Sequence, residues 1–575
     1  MTNRDIASIF VKMAKILELK GDNPFKVRAY LRAARSIEAL NSELSELIEK
    51  GEDLKKIEGI GKEIEAKIKE LIGTGHLSAY EKAKKGIPSS LLGLLEIPGL
   101  GPKTVAALHK KLGIKDVNGL EAAARKNKLI GIANIREKAQ ANILKGIEIL
   151  RRGRERIPLK TAFSIAEGLK SYLAVSSAVE KIEIAGSLRR RKETIGDIDI
   201  LIASSRPQEV GKRFLAYPHI KKVLAEGETK YSFITSFNLQ VDLRIVDKRS
   251  FGAALLYFTG SKDFNISLRR IAQEQGYKIN EYGIFSLGPS LKKLGGEKEK
   301  EIFNFLKMRY IPPVLREDRG EIELALKGQL PLLVKPKDVK GDLHVHSHYS
   351  DGENSLDELA RKAQERGYRY LAVCDHSQSL KVAGGLDKNR VKEKEEEIKR
   401  LNKKFRNFRL LFGSEVDILS DGKLDYPPAV LERFDIVIGA IHTGFKQSKK
   451  QLTKRIISAI KSGYVHIIAH PTGRLFGVRD AYELDFEKII QAALDYNVAL
   501  EINCYPQRMD LDDIKARAAA EKGVVLSLGT DAHRLEHMDA LDFGVSLAQR
   551  GWLGKDNLIN TLSLKKLYQW LSLKR

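Results

Sequence analysis

The chain has 575 residues, too many for one hydrophobic core and enough for roughly three to five compact units of about 100 to 200 residues each. Its formal net charge of +25 favours a polyanionic partner, because Lys and Arg side chains that neutralise phosphates gain free energy by releasing counterions. Only Cys374 and Cys504 occur, which excludes a disulfide framework and fits a reducing cytoplasm, and there is no membrane-spanning apolar run and no secretory leader.

The N-terminal part predicts helices, with Ile6, Ile9, Phe10, Met13, Ile16 and Leu17 recurring at helix spacing. Two glycine hairpins follow. Ile57-Glu58-Gly59-Ile60-Gly61-Lys62 precedes the helical run from Ile64 to Ile68, and Ile97-Pro98-Gly99-Leu100-Gly101-Pro102-Lys103 precedes Val105 to Leu108. In each, two glycines allow a tight turn and leave amides free at a helix N-terminus, where a phosphate binds without its base being read. Two copies of this helix-hairpin-helix signature assign Gly59, Gly61, Gly99 and Gly101 to DNA-backbone binding. A third stretch, Leu129-Ile130-Gly131-Ile132-Ala133-Asn134, lacks the second glycine and reads as structural. Gly86-Ile87-Pro88 marks the boundary between units 1–85 and 86–150, and the cationic run from Arg151 to Lys160 opens the next.

Gly186-Ser187 and the cluster Arg189-Arg190-Arg191-Lys192 then lead into Gly196-Asp197-Ile198-Asp199-Ile200-Leu201. A strand puts residues i and i+2 on one face, so Asp197 and Asp199 point together while Ile198 and Ile200 face the core. Carboxylates so paired suit hard divalent ions and phosphoryl chemistry. Asp242, in the alternating run Leu239 to Ile245, supplies a third carboxylate on a strand expected to pair antiparallel beside the first.

Gly186-Ser187 through Asp199 resembles the nucleotidyltransferase palm motif of family X DNA polymerases, the DNA polymerase beta group. Tyr257-Phe258-Thr259-Gly260-Ser261, with Phe264, Asn265, Arg269 and Asn280-Glu281-Tyr282, is similar to that family's nucleotide-pocket and thumb segment. The resemblance implies that Asp197, Asp199 and Asp242 are catalytic and hold Mg2+ or Mn2+, and that Ser187, Arg190 and Gly196 contact the incoming triphosphate. It also implies that Tyr257, Phe258 and Gly260 shape the sugar pocket, with Asn265 beside the base. Two positions depart from the family: Lys262 stands where an aspartate is usual, and Gln240 replaces an arginine beside the third carboxylate. The first hairpin lies where the family carries a deoxyribose-phosphate lyase, whose Schiff-base lysine would be Lys67, near Lys26 and Tyr30. Glu63 replaces a second lysine of that site.

After Tyr310-Ile311-Pro312-Pro313 the composition changes, and nine of the twelve histidines fall between His344 and His537. Asp342-Leu343-His344-Val345-His346 puts two imidazoles on one strand face, and Thr530-Asp531-Ala532-His533 repeats the alternation. Between them His376, Glu415, His442 and His470 each end an apolar run, and helical segments such as Leu356 to Arg366 intervene. That alternation predicts a parallel barrel with a polynuclear metal site at the carboxyl ends of its strands.

Residues 342–533 resemble the polymerase and histidinol phosphatase, or PHP, domain, a distorted barrel of metal-dependent phosphoesterases. The resemblance implies three ions, Zn2+ or Mn2+: His344, His346, Glu415 and Asp531 around one, Asp351, His376 and His470 around another, and Glu415, His442 and His533 around the last. Glu501 and Asn503 fit the same rhythm without a metal role.

The expected fold is multidomain: helical helix-hairpin-helix units at 1–85 (lyase-like) and 86–150 (fingers), an α+β palm at 151–250, a thumb at 251–316, a linker at 317–339 and an α/β distorted PHP barrel at 340–575. The expected function is a cytoplasmic, monomeric DNA-directed DNA polymerase that takes dNTPs and fills short gaps in gapped or primed DNA, with a metal-dependent 3'-5' exonuclease in the PHP domain. The alternative is a repair nuclease or phosphoesterase, acting as an apurinic-site endonuclease or 3'-phosphatase, whose polymerase module mainly positions DNA.

Overall fold

The computed structural model describes residues 3–38, 44–49, 51–57, 59–84, 91, 93–97, 100–132, 135–152, 156–288, 291–476 and 478–573. Two compact bodies divide it, Met1–Arg156 and Ile157–Arg575.

The first body is helical. In the helix Asn3–Lys20, Ile6, Phe10, Met13, Ile16 and Leu17 are buried, as the 3.6-residue period demands, and they pack on the helix Pro24–Glu38. One apolar cluster runs from Ile6 to Leu77 and a second from Leu91 to Ile147; Leu19 belongs to the second, so the first helix contributes to both. Gly59 has φ +85°, and a Cβ there would stand 2.7 Å from Arg32 Cγ, which accounts for glycine at the first hairpin. Gly61 caps the helix Lys62–Thr74, and Gly101 caps Pro102–Leu112 with proline in the first turn. Gly99 and the boundary Gly86-Ile87-Pro88 lie outside the described residues.

After the helix Leu159–Ala174 the second body forms a five-stranded sheet. Its strands are β1 (Lys181–Ile184), β2 (Asp197–Ala203), β3 (Ile220–Glu226), β4 (Lys230–Thr235) and β5 (Gln240–Val246), in the order β1-β2-β5-β4-β3. The sequence predicted β5 antiparallel to β2; it is parallel, with Asp199 opposite Asp242. A parallel neighbour needs a long crossover, and the helix Pro207–Leu215 with the antiparallel pair β3-β4 supplies it before β5 returns. The helices Phe251–Thr259 and Lys262–Glu274 then pack with an antiparallel sheet of β6 (Tyr277–Asn280), β7 (Gly283–Ser286) and β8 (Lys293–Gly295) around Leu256, Phe264, Leu268 and Phe303.

The remainder forms seven parallel strands in chain order: β9 (Gly341–Val345), β10 (Tyr370–His376), β11 (Arg409–Asp417), β12 (Ile436–Ala440), β13 (Ile467–Ile468), β14 (Ala499–Asn503) and β15 (Leu526–Gly529). A parallel bridge between Val345 and Ala532 joins the two ends into the expected distorted barrel. The strand positions are buried almost without exception, since parallel strands covered by helices have no wet face. The palm and the barrel share one apolar cluster, and the Phe163 and Phe543 rings meet edge-on at 5.9 Å. Residues 317–339 run packed between them, with the Val334 amide donating to Leu553 and the Gln549 amide donating to the Val334 carbonyl.

Candidate active sites

The palm site is built on β2, β5 and the one-turn helix Gly186–Arg189. Parallel register sets Asp199 beside Asp242 and Asp197 beside Gln240. Gly186, at φ +61°, closes over them: a Cβ there would lie 1.9 Å from Asp199 Oδ2. The Ala185 amide donates to the Asp199 carbonyl, which fastens the helix to β2. Burial, followed by the charges of Asp197 and Asp242, pushes the Asp199 carboxyl up to about 8, with Arg190 and Arg244 acting the other way. A buried carboxyl crowded by two further carboxylates makes a donor set that fits divalent cations. Gln240, the family departure, donates to both oxygens of Asp242 at 3.2 and 2.9 Å, so an uncharged amide orients that carboxylate.

The residues expected around a nucleotide gather beside this triad. Ser187 has a buried hydroxyl without a hydrogen-bond partner. Arg190 donates Nε to Glu317 at 3.0 Å and Nη1 to the Thr259 carbonyl, and Gly260 approaches so closely that a Cβ would stand 3.2 Å from Nη1. Asn265 donates to the Tyr257 carbonyl at 2.7 Å, and the Tyr257 and Phe258 rings meet at 84°. Gly196 sits half-buried immediately before β2. Lys262 is exposed at the start of its helix.

In the barrel all nine expected ligands converge at the carboxyl end of the strands. His344 Nε2 and His346 Nε2 lie 3.2 Å apart, Asp531 Oδ1 lies 3.9 and 3.2 Å from them, and Glu415 Oε2 lies 3.6 and 3.7 Å away. Four donors bound to one zinc-sized ion at about 2.0–2.1 Å would be separated by about 3.3 Å, so these spacings fit a shared cation. Asp351 Oδ1 approaches His376 Nε2 at 3.6 Å and His533 Nε2 at 3.3 Å, while Glu415 Oε1 approaches His442 Nε2 at 3.3 Å and His470 Nε2 at 2.9 Å.

His470 and His533 thus exchange places relative to the grouping that the resemblance implied. The topology explains it: β13, before His470, adjoins β12 and its His442, whereas the bridge after β15 brings His533 to the loop of Asp351. Buried His346 Nδ1 and His470 Nδ1 make no hydrogen bond, and His376 Nδ1 stands 2.9 Å from Glu415 Oε2 without hydrogen-bonding alignment, an arrangement that fits metal coordination. Burial and the neighbouring His533 and His376 push His346 down to about 4, leaving a neutral imidazole. Burial opposes the ionisation of Glu415, yet His442, His344 and His376 hold its carboxyl well below the usual range. Burial opposes charging of His344, His442 and His533 as well, but the facing carboxylates raise His344 well above its ordinary value, His442 to about 10 and His533 to about 9, so a cation binding here would displace their protons.

A second layer fixes these ligands. Glu501 Oε1 lies 2.7 Å from His344 Nδ1, and Asp417 Oδ1 lies 2.6 Å from His442 Nδ1; each contact selects the tautomer that leaves Nε2 free. Asn503 donates to Glu501 and Asp531, and Arg508 Nε sits 3.2 Å from Asp531 Oδ2. Asp417 was missed in the sequence although the alternation Glu415-Val416-Asp417 places it on the face of Glu415. Arg508 lies in a loop with no period to reveal it. His466 accepts from the Val437 amide and serves the strands, and His348 is exposed.

In the first body Lys67 Nζ lies 5.5 Å from the centre of the Tyr30 ring and 3.6 Å from Glu63, which takes the place of the family's second lysine. Among the described residues no helix is long and apolar enough to cross a membrane.

Four family models match: a helix-hairpin-helix domain at residues 1–77, a SAM-like helix-hairpin-helix tandem at 91–148, the DNA polymerase beta thumb at 254–317 and the PHP domain at 342–504. The DNA polymerase/3'-5' exonuclease PolX of Bacillus subtilis is 41% identical over 573 residues, covering 99% of both chains. A probable phosphatase of Thermoanaerobacter pseudethanolicus is 30% identical over 246 residues, 41% of this chain and 95% of its own length. One from Caldanaerobacter subterraneus is 29% identical over 245 residues, 41% of this chain and 91% of its own. End-to-end similarity at this level, with the palm carboxylates and the histidine barrel both in place, means that the chain belongs to the family X, DNA polymerase beta-like DNA polymerases that carry a C-terminal PHP domain.

Proposed function

We propose that this protein is a DNA-directed DNA polymerase that fills short gaps during repair and carries a metal-dependent 3'-5' exonuclease in its barrel. The observation that carries the proposal is the presence of both polar constellations on a chain similar along its whole length to a polymerase/3'-5' exonuclease. The working division is 1–85 lyase-like, 86–150 fingers, 151–250 palm, 251–316 thumb, 317–339 connection and 340–575 barrel.

In the palm, Asp197, Asp199 and Asp242 would hold Mg2+ or Mn2+, which when bound activates a primer 3'-hydroxyl and stabilises the departing pyrophosphate. Gln240 keeps Asp242 turned toward that centre. The unpartnered Ser187 hydroxyl, Arg190 and the backbone at Gly196 are assigned to the triphosphate. Tyr257, Phe258 and Gly260 bound the sugar, and Asn265 lies beside the base. Gly59, Gly61, Gly99 and Gly101 are assigned to the DNA backbone, which the +25 net charge also favours.

In the barrel, His344, His346, Asp351, His376, Glu415, His442, His470, Asp531 and His533 would hold three ions, Zn2+ or Mn2+, which when bound supply a nucleophile and neutralise charge on the cleaved phosphodiester. Glu415 reaches two donor groups with its two oxygens, and Glu501 and Asp417 hold the imidazoles of His344 and His442 in register. Similarity to probable phosphatases over 41% of the chain favours 3'-phosphatase action of the barrel as a second reading. Lys67 is the candidate for lyase chemistry. We place the protein in the cytoplasm as a monomer acting on gapped DNA and dNTPs.

The test is primer extension and DNA degradation on gapped DNA. Asp199→Ala is expected to abolish extension and spare degradation, and His346→Ala to do the reverse. Extension that survives Asp199→Ala in a folded protein would overturn the palm assignment, and degradation unchanged by His346→Ala would overturn that of the barrel.

A further inference from the structure

Arg550 ends the helix Leu541–Arg550, which packs on barrel strands β14 and β15, yet its side chain serves the palm. Its guanidinium is fully buried. Nη1 donates to the Arg190 carbonyl at 2.8 Å and to Glu317 Oε1 at 3.0 Å, and Nη2 donates to Asp513 Oδ2 at 2.6 Å. Glu317 Oε1 also accepts from Arg190 Nε at 3.0 Å, Lys192 stands 3.7 Å from Oε2, and Arg319 joins Asp513 at 3.0 Å. One buried cation from the barrel side thus clamps the backbone and, through Glu317, the side chain of the same palm residue.

Arg190 caps the one-turn helix Gly186–Arg189, whose other end lies against Asp199 and whose Ser187 hydroxyl is buried without a partner. Four residues of helix transmit any shift at the Arg190 carbonyl straight to that hydroxyl. A turn this short has too few internal hydrogen bonds to hold itself, so outside groups must fix it. Arg189 is fixed by Glu299 and Thr259 of the thumb segment. The carbonyl of Arg190 is fixed from the barrel.

We propose that Arg550 is a positioning residue for the polymerase reaction, by which the barrel holds the nucleotide-facing turn of the palm in its working geometry. The inference rests on the polymerase reading above. It makes the barrel a structural part of the palm site as well as the carrier of a second one.

The experiment uses the full-length chain and two readouts on each preparation: single-nucleotide insertion into gapped DNA over a range of dNTP, and manganese-dependent degradation of a 3' end. Arg550→Met should raise KM for dNTP about three- to thirtyfold, the usual span for coupling through a packed network, with degradation unchanged. Arg550→Lys, which keeps the charge but gathers its donors at one point instead of along a planar fork, should fall between. A merely structural role would lower both activities together without a selective rise in KM. If Arg550→Met loses both, Asp513→Asn decides by the same split, because it loosens the barrel end of the clamp and leaves Arg550 in place. A KM within about twofold of wild type in whichever variant retains degradation would overturn the proposal. Wild-type protein that degrades DNA and never extends it would instead overturn the polymerase reading.

Discussion

Gly186→Ala is the sharpest perturbation of the palm. The new methyl would begin 1.9 Å from Asp199 Oδ2, 3.0 Å from Cγ and 3.3 Å from Cβ, whereas ordinary contact starts at 3.4 Å. The difference, 3.4 − 1.9 = 1.5 Å, is the distance that Asp199 or the turn must yield. Carboxylate–metal bonds of about 2.0–2.1 Å to magnesium tolerate little of that, and misplacement by about 1 Å costs on the order of 100-fold in rate. Holding alanine at φ +61° adds about 1–2 kcal/mol of backbone strain, modest for a protein of this size. Gly168→Ala, inside the helix Leu159–Ala174, is the control, because a Cβ there would meet nothing within 4 Å. Single-nucleotide insertion should therefore fall by about 100-fold or more in Gly186→Ala and stay near wild type in Gly168→Ala, with metal-dependent degradation retained in both. Extension by Gly186→Ala within about threefold of wild type would refute the claim that this glycine exists to admit the Asp199 carboxylate.

Because the Asp199 carboxyl sits at about 8, cation binding to the palm must displace a proton below that pH. The raised value means that the protonated form stabilises the metal-free fold at low pH and that this contribution is lost as pH rises toward 8; Mg2+ affinity should climb by up to about tenfold per pH unit between pH 6 and 8. Calorimetry in buffers of different ionisation enthalpy should detect proton release that Asp199→Asn removes, and a pH-independent affinity would contradict the crowding of the three carboxylates. Asp417→Asn and Glu501→Gln should each weaken barrel metal affinity or degradation about 10–100-fold while leaving primer extension intact, as measured by metal content and nuclease rate. In the thumb segment, burial opposes ionisation of Glu299 but Arg316 and Arg189 hold its carboxyl at about 2, so its contribution is present above about 4.5 and lost as pH falls toward 2. That contribution is about 3 kcal/mol, from roughly 2.5 pH units at 1.36 kcal/mol each. Acid unfolding followed from pH 6 to 2 should be less steep in Glu299→Gln, and an identical profile would show that the pair is not retained in solution.

The sequence by itself determined the ingredients. Period-2 alternation put Asp197 with Asp199 and His344 with His346, and apolar runs ending in ligands placed the remaining barrel residues at strand ends, because strand geometry is local. The hairpin glycines were legible for the same reason, since a left-handed φ or a helix cap is a property of a few adjacent residues. Tertiary structure decided which residues meet. β5 runs parallel to β2 because the crossover between them forms a helix and a strand pair, and no residue of β5 records that direction. His470 and His533 changed partners because ring closure, a contact between Val345 and Ala532 across 187 residues, brings His533 beside Asp351. Arg550 was invisible in the sequence: a buried guanidinium acquires its role from three acceptors at 190, 317 and 513, and only folding brings those positions together. Patterns fixed by neighbouring dihedrals can be read along the chain, whereas metal sharing and the clamp on the palm depend on long-range closure.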